Sequence, residues 1–474
     1  DGSFFFEKGP QQKVSIATGL PQDLAGSFIA DTLQPFVTAA AQAGLGITVS
    51  DDFSTIRGWD VATTMLAAHD VNVFVGVGDP RFGEDRNGNG VLDPNEDLNN
   101  NGVLDLESED TNGNGQLDAG EDRDGDGVLD TRWTEDDNLV GFALEGVDVA
   151  FAIMEATSPE AVRNLLGGAL DKFYGLRVNA EQVAFIGYKG DFTLSASDLE
   201  VIVNASANSW PGEIGTPVID WGYTYGEDKN LNGVLDAGED TNQDGLITPG
   251  ALLVRTGAKD ANGDDITIPI DFDGEERISA STSAAILQIS EYVHLSGAFA
   301  FEKGVGVSAD VKTPLGIISN VQFDTMTIGA RDVSAFFGKG GPYRTDANGD
   351  GRLDTSDPIN PNAVGLVIDD LDLAIAILQP QILGQDVGSK FFALKASANK
   401  IGLVGIDDFQ LEANLVEVNV NYASAFRTAI DFAGSLPAQG DTPAGLAVKT
   451  GTGTEPIYID FDGDQIVQAR TEGV

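Results

Sequence analysis

Apolar and polar residues alternate along most of this chain, in runs too short for helices and too regular for loops. In "FQLEANLVEVNVN" (409–421), Phe409, Leu411 and Ala413 share one face; after a one-residue slip, Val416, Val418 and Val420 continue it. Successive side chains of a strand point to opposite faces, so the slip predicts a β-bulge or bend. "MTIGARDVSAFFG" (326–338), "VGLVIDDLDLAIAI" (364–377) and "YVHLSGAFAFEKG" (292–304) show similar alternation and enrichment in Val, Ile and Phe. Two stretches read as helices: "DLAGSFIADTLQPFVTAAAQAG" (23–44), with Pro35 placed to kink it, and "SPEAVRNLLGGALDKF" (158–173), with Ser158 as N-cap and Pro159 at N1. The expected fold is mainly all-β: tandem antiparallel β-sandwich or barrel-like units, with a β-solenoid as the alternative.

One large unit occurs twice. "GSFFFEKG" from Gly2 returns as "GAFAFEKG" from Gly297, and "HDVNVFVGVGDP" from His69 as "RDVSAFFGKGGP" from Arg331. "VGFALEGVDVAFAI" from Val140 matches "VGLVIDDLDLAIAI" from Val364. "GDFTLSASDLEVIVN" from Gly190 matches "DDFQLEANLVEVNVN" from Asp407. "VRTG" and "IDFDG" (Val254, Ile270) return as "VKTG" and "IDFDG" (Val448, Ile459). Matches in unchanged order point to tandem duplication. We assign residues 1–274 to a long first unit, 275–463 to a shorter second, and 464–474 to the opening of a third copy or an assembly tail. On this division the sequence is a window on a longer array, or a subunit completed by its neighbours.

Charge changes the picture. Seventy-five acids against 27 bases give a net charge of −48, which argues against nucleic acid or an anionic membrane as partner and for bound multivalent cations. The absence of cysteine removes disulfides and thiolate metal sites. No apolar run is long enough for a transmembrane helix, so membrane insertion is not expected.

The acids concentrate in loops with a twelve-residue beat at 84–137, 228–250 and 346–357. Calcium takes six to eight oxygens, at about 2.3–2.6 Å, and a loop supplies them from positions 1, 3, 5, 7 (a carbonyl), 9 and 12, with Gly at 6. Four loops fit throughout. They are Asp85, Asn87, Asn89, Val91, Asp93 and Glu96; Asp110, Asn112, Asn114, Gln116, Asp118 and Glu121; Asp228, Asn230, Asn232, Val234, Asp236 and Glu239; and Asp346, Asn348, Asp350, Arg352, Asp354 and Asp357. Three fit in part: Asp97, Asn99, Asn101, Val103 and Asp105; Asp122, Asp124, Asp126, Val128 and Asp130; and Asp240, Asn242, Asp244 and Leu246. Their last ligand must come from water or a neighbouring loop. Between residues 84 and 137, 18 acids stand against three bases; such a segment repels itself without counter-ions. "DANGDD" from Asp260 and the two "DFDG" turns read as Asx turns.

The loops abut, Glu96 on Asp97 and Glu239 on Asp240, leaving no room for the helices that flank an EF-hand. Abutting loops of this kind resemble thrombospondin type 3 repeats, and the loop ending in Asp357 resembles a dockerin loop. The β-rich repeat they interrupt is similar to units of very large secreted bacterial surface and matrix proteins. The resemblance implies calcium and an extracellular, bacterial cell-surface setting.

Enzyme signatures are missing. The two histidines, His69 and His294, lie in alternating strands, and His69 aligns with Arg331. No G-x-S-x-G elbow occurs, and "GVGDPR" lacks the third Gly and the helix of a dinucleotide loop. Asn204-Ala205-Ser206 is an isolated glycosylation sequon. The expectation is a non-enzymatic, calcium-stabilised structural protein that forms a fibre, sheath or stalk with copies of itself. The alternatives are an adhesin or carbohydrate-binding module facing surface glycans and, behind it, a secreted hydrolase.

Overall fold

A computed structural model describes residues 2–20, 33–77, 140–186, 192–210, 215–260, 262–345, 347, 353–382, 385–386, 390–406, 411–423 and 428–472. The alternating segments form long strands: β1 Ser3–Ala17, β3 Thr55–Val77, β4 Val140–Ala156, β5 Lys172–Ile186 and β6 Phe192–Ser206, with β2 Thr48–Val49 and β7 Val218–Ile219 as short additions. A two-stranded ribbon follows, β8 Leu252–Lys259 with β9 Asp265–Ile270, and then β10 Arg277–Ile289.

The second half runs through the same series. Its long strands are β11 Val293–Thr313, β12 Gly316–Lys339, β13 Val364–Ile382, β15 Phe391–Val404 and β16 Leu411–Ala423, with β14 Gln385–Asp386 and β17 Ala429–Asp431 beside them. A ribbon of β18 Leu446–Val448 and β19 Ile457–Ile459 precedes β20 Ile466–Arg470. The fold is mainly all-β and antiparallel, as the alternation predicts. Its long strands do not close into separate units; they join in one sheet, ordered β20-β16-β15-β13-β12-β11-β10-β6-β5-β4-β3-β1. The join is β10, which pairs β6 on one edge and β11 on the other.

Left-handed residues interrupt these strands near mid-length: Asp70, Gly146, Asp198, Asp332, Asp370 and Leu415. Leu415 (φ 50°) falls where the alternation slips in "FQLEANLVEVNVN", so the slip is a backbone irregularity in β16. Each ribbon covers part of one face. Beneath β8–β9 lie Trp59, Met154, Phe173 and Trp221; beneath β18–β19 lie Phe323, Phe391 and Phe432.

The helices are shorter than the sequence suggests. Helix α1 is described over Gln34–Gln42 with Pro35 in its first turn, where a missing N–H costs nothing; residues 21–32 lie outside the described set. Helix α2 spans Glu160–Arg163 and passes into a 3-10 turn that ends at left-handed Gly167. Its N-cap is Pro159, not Ser158, and no side chain caps it. The sequon is structural: Asn204 is fully buried, its amide donating to the carbonyls of Ile219, Asp273 and Glu275, its oxygen accepting the Trp221 indole N–H at 2.9 Å.

Candidate metal centre

Each half places a single helical turn after its short edge strand. Helix α3, Trp221–Thr224, is capped by Asp220, whose carboxylate accepts the Tyr223 N–H at 2.8 Å; helix α4, Phe432–Ser435, is capped the same way by Asp431 and Gly434 at 2.9 Å. Trp221 and Phe432 each turn a ring into the core and donate a backbone N–H, to Phe272 and Phe461 respectively. From this common root the second half closes at once, the Gly445 N–H bonding the Leu436 carbonyl at 2.8 Å. The first half carries two acidic loops instead, over residues 228–251.

Both loops fold by one hydrogen-bond scheme. The Asp at position 1 accepts the N–H of the Gly at position 6: Asp228 from Gly233 at 2.7 Å and Asp240 from Gly245 at 3.2 Å. The Asn at position 3 accepts the N–H at position 5, Asn230 from Asn232 and Asn242 from Asp244, each at 3.0 Å. Position 5 accepts the N–H at position 7, Asn232 from Val234 and Asp244 from Leu246, each at 2.7 Å. Positive φ at Leu231, Gly233, Gln243 and Gly245 turns the backbone so that these bonds can form. The side chains of Val234 and Leu246 face solvent.

The position-12 acid closes the first loop. Glu239 accepts the N–H groups of Lys229 (3.0 Å) and Asp236 (2.9 Å), and its own N–H bonds the Asp236 carbonyl (3.0 Å). The 346–357 loop repeats this wherever it is described: Asp357 accepts from Ala347 (3.1 Å) and Asp354 (3.2 Å), and its N–H bonds the Asp354 carbonyl (3.1 Å). Arg344 fixes that loop to the sheet, donating to Asp369 at 2.8 and 2.6 Å and to the Asp357 carbonyl at 2.7 Å. Asp346, Asn348, Asp350 and Arg352 lie outside the described residues, as does every candidate ligand from Asp85 to Asp130.

Convergence favours the loop with the incomplete sequence match. Among the described residues, Glu227, Asp240 and Asp244 bring carboxylate oxygens within 4.8 Å of one another. Two oxygens bound to one calcium at about 2.4 Å can be no farther apart than about 4.8 Å, so the spacing suits a shared ion. The Oδ1 atom of Asp240 is buried and accepts no hydrogen bond. Glu227, buried, brings a third carboxylate to this loop, whose sequence has no acid at position 12. The Thr241 hydroxyl, and then the N–H groups of Thr241 (2.8 Å) and Thr248 (3.2 Å), hold its carboxyl down to about 2, fully ionised at neutral pH. In the 228–239 loop Asp228, Asp236 and Glu239 form no such cluster: Asp228 also accepts the Tyr223 hydroxyl at 2.5 Å, and Asp236 accepts the amides of Asn230 and Asn232, both at 2.8 Å.

Glu227 escapes a template search because it stands one residue ahead of the first loop and clusters with acids of the second. Only the abutment of the loops hinted at such sharing. A second cluster, Asp332, Asp370 and Asp372, sits at the mid-strand irregularity of β12 and β13. Burial, followed by the charges of Asp332 and Asp372, pushes the Asp370 carboxyl up. The first half has Asp70, Gly146 and Asp148 in the corresponding places, with His69 Nδ1 2.6 Å from Asp148 where Arg331 stands 3.7 Å from Asp372. No family model matches the chain, and no curated protein or solved structure matches it.

Proposed function

We propose that this is a non-enzymatic, calcium-stabilised extracellular structural protein, built of tandem β-units and assembling with copies of itself into a fibre, sheath or stalk on a bacterial surface. The observation that carries the calcium reading is the Glu227–Asp240–Asp244 cluster with its unsatisfied Asp240 oxygen. Carboxylate, amide and carbonyl oxygens are the ligands of a hard cation, and the set contains no imidazole or thiolate that would favour zinc. Glu227 and Asp240 with Asp244 would hold the ion from either side of the first loop, Asn242 and the Leu246 carbonyl adding oxygens at the template positions.

An ion there would tie the double loop to its root, since Glu227 stands three residues past the end of α3 and its N–H bonds the Thr248 carbonyl at 3.0 Å. Binding to the folded chain alone stabilises it by RT ln(1 + [L]/Kd), about 2.7 kcal/mol per site at a hundredfold excess of calcium. Millimolar extracellular calcium saturates even weak sites, which fits a protein with net charge −48 and no cysteine. Tandem assembly is supported by the recurring element order and by the shared sheet. Calcium titration by calorimetry tests the reading. We expect saturable binding that Asp240→Asn weakens; a chain that takes up no calcium at millimolar concentration contradicts it.

A further inference from the structure

The internal join of the sheet shows how a second copy would dock. Strand β20 lies on β16 as β10 lies on β6: Ile466 and Val467 oppose Asn421 and Val420, just as Arg277 and Ile278 oppose Asn204 and Val203. Asn421 and Asn204 are buried and use their amides alike, to the carbonyls of Ile430 and Ile219. At the opposite edge, β1 lies on β3 as β11 lies on β12: Phe6 and Glu7 oppose Leu66 and Met65, where Phe301 and Glu302 oppose Ile328 and Thr327. Even the short additions correspond, β7 pairing Ile16 and β17 pairing Val311.

One difference separates the pairs. Strand β11 carries β10 along its other edge, Ile278 opposing Lys303, Ser279 opposing Glu302 and Ala280 opposing Phe301. Among the described residues, the corresponding stretch of β1 and the outer edge of β20 carry no strand. Burial follows: Phe4 and Phe6 are 69% and 68% exposed, whereas Phe299 and Phe301 beside β10 are half-buried. Val467 is 77% exposed against 42% for Ile278. An open edge with unpaired N–H and C=O groups is a template for another strand.

We infer that β20 of one copy pairs antiparallel with β1 of a second copy in the register of β10 on β11. Val467 then opposes Lys8, Gln468 opposes Glu7, Ala469 opposes Phe6 and Arg470 opposes Phe5. The faces agree, since Ala469 and Phe6 fall on the same side and Arg470 comes diagonal to Glu7, opposite in charge. Each copy presents both edges, so the contact is head-to-tail and propagates. This rests on the self-association proposed above and adds the partner strand and its register.

The natural absence of cysteine makes the register measurable. Directly opposed residues have Cα atoms about 4.5–5.5 Å apart, within disulfide reach. Phe6→Cys and Ala469→Cys chains, mixed and oxidised, should give a covalent dimer that neither gives alone. Phe6→Cys mixed with Gln468→Cys should give none, because Gln468 faces the other side. Sedimentation of the unmodified chain reads association independently. Association with no Phe6–Ala469 cross-link, or with equal cross-linking at Gln468, overturns the junction and leaves assembly standing. A chain monomeric at every concentration and without cross-links overturns both. Cross-linked monomer from the Phe6→Cys/Ala469→Cys double variant would mean closure within one chain and also overturns it.

Discussion

Replacing Asp244 by Asn separates calcium ligation from loop folding. The substitution removes one charge from the Glu227–Asp240–Asp244 cluster but keeps an oxygen to accept the Leu246 N–H, now bonded at 2.7 Å. Asn232 already fills this position in the first loop and makes the same bond, so the backbone accepts the change. Without calcium two effects partly offset each other. Relief of the Asp244 repulsion from both Asp240 and Glu227, each within 4.8 Å, yields about 1.7 kcal/mol in the dielectric of water. Loss of the Asn242 amide bond to Asp244, 3.0 Å long, costs about 1 kcal/mol. With calcium the balance differs. A carboxylate about 2.4 Å from a divalent ion contributes about 3.5 kcal/mol on the same scale, and the Asn oxygen restores coordination without charge. Affinity should fall about a hundredfold or more, at about 1.4 kcal/mol per tenfold. Urea unfolding of wild type and D244N, each in EGTA and in saturating calcium, reads the difference. D244N should match wild type within about 1 kcal/mol in EGTA and lose about 2 to 3 kcal/mol when calcium is just sufficient to saturate wild type. Equal losses in both buffers would mean that Asp244 only shapes the loop, and the ligand assignment would fail.

Other outcomes follow from the packing. A Cβ on Gly175 would stand 2.5 Å from the Trp221 ring, whereas the second half pairs Ala393 with the smaller Phe432 at the corresponding positions. Gly175→Ala should cost about 1–3 kcal/mol by overpacking, and Trp221→Phe in the same chain should recover part of it; denaturant midpoints of the two variants decide. Arg344→Ala strips a buried Asp369 of its partner and should cost about 3–5 kcal/mol, with Asp369→Asn recovering part of the loss in a double variant. His294 is buried and burial pushes its imidazole below the ordinary 6.5. The unfolded chain therefore binds the proton more readily, so His294 lowers stability as pH falls below 6.5 toward its folded value. His294→Phe should flatten the stability profile between pH 7.5 and 5.5, and an unchanged slope would exclude His294 as its source.

Alternation made the strands legible, and the slip at Leu415 even located a backbone irregularity. Their union into one sheet was not legible, because alternation says which face a residue takes and not which strand lies beside it. The role of β10 as the shared strand appears only in its pairing. The loop template found Asp240 and Asp244 from Asp and Asn spacing, since each position supplies its own backbone bond. Glu227 was invisible to it because its contribution is tertiary, fixed by Thr241 and Thr248 across the loop pair. Ser158 misled for a local reason: Pro159 takes the cap, and the Ser158 hydroxyl is buried without a partner.

Calcium-dependent stability is the central claim, and thermal unfolding of the intact chain tests it most directly. In millimolar calcium the midpoint should lie well above that in excess EGTA, and should rise with calcium concentration as ligand linkage requires. An identical midpoint in both buffers would contradict the account.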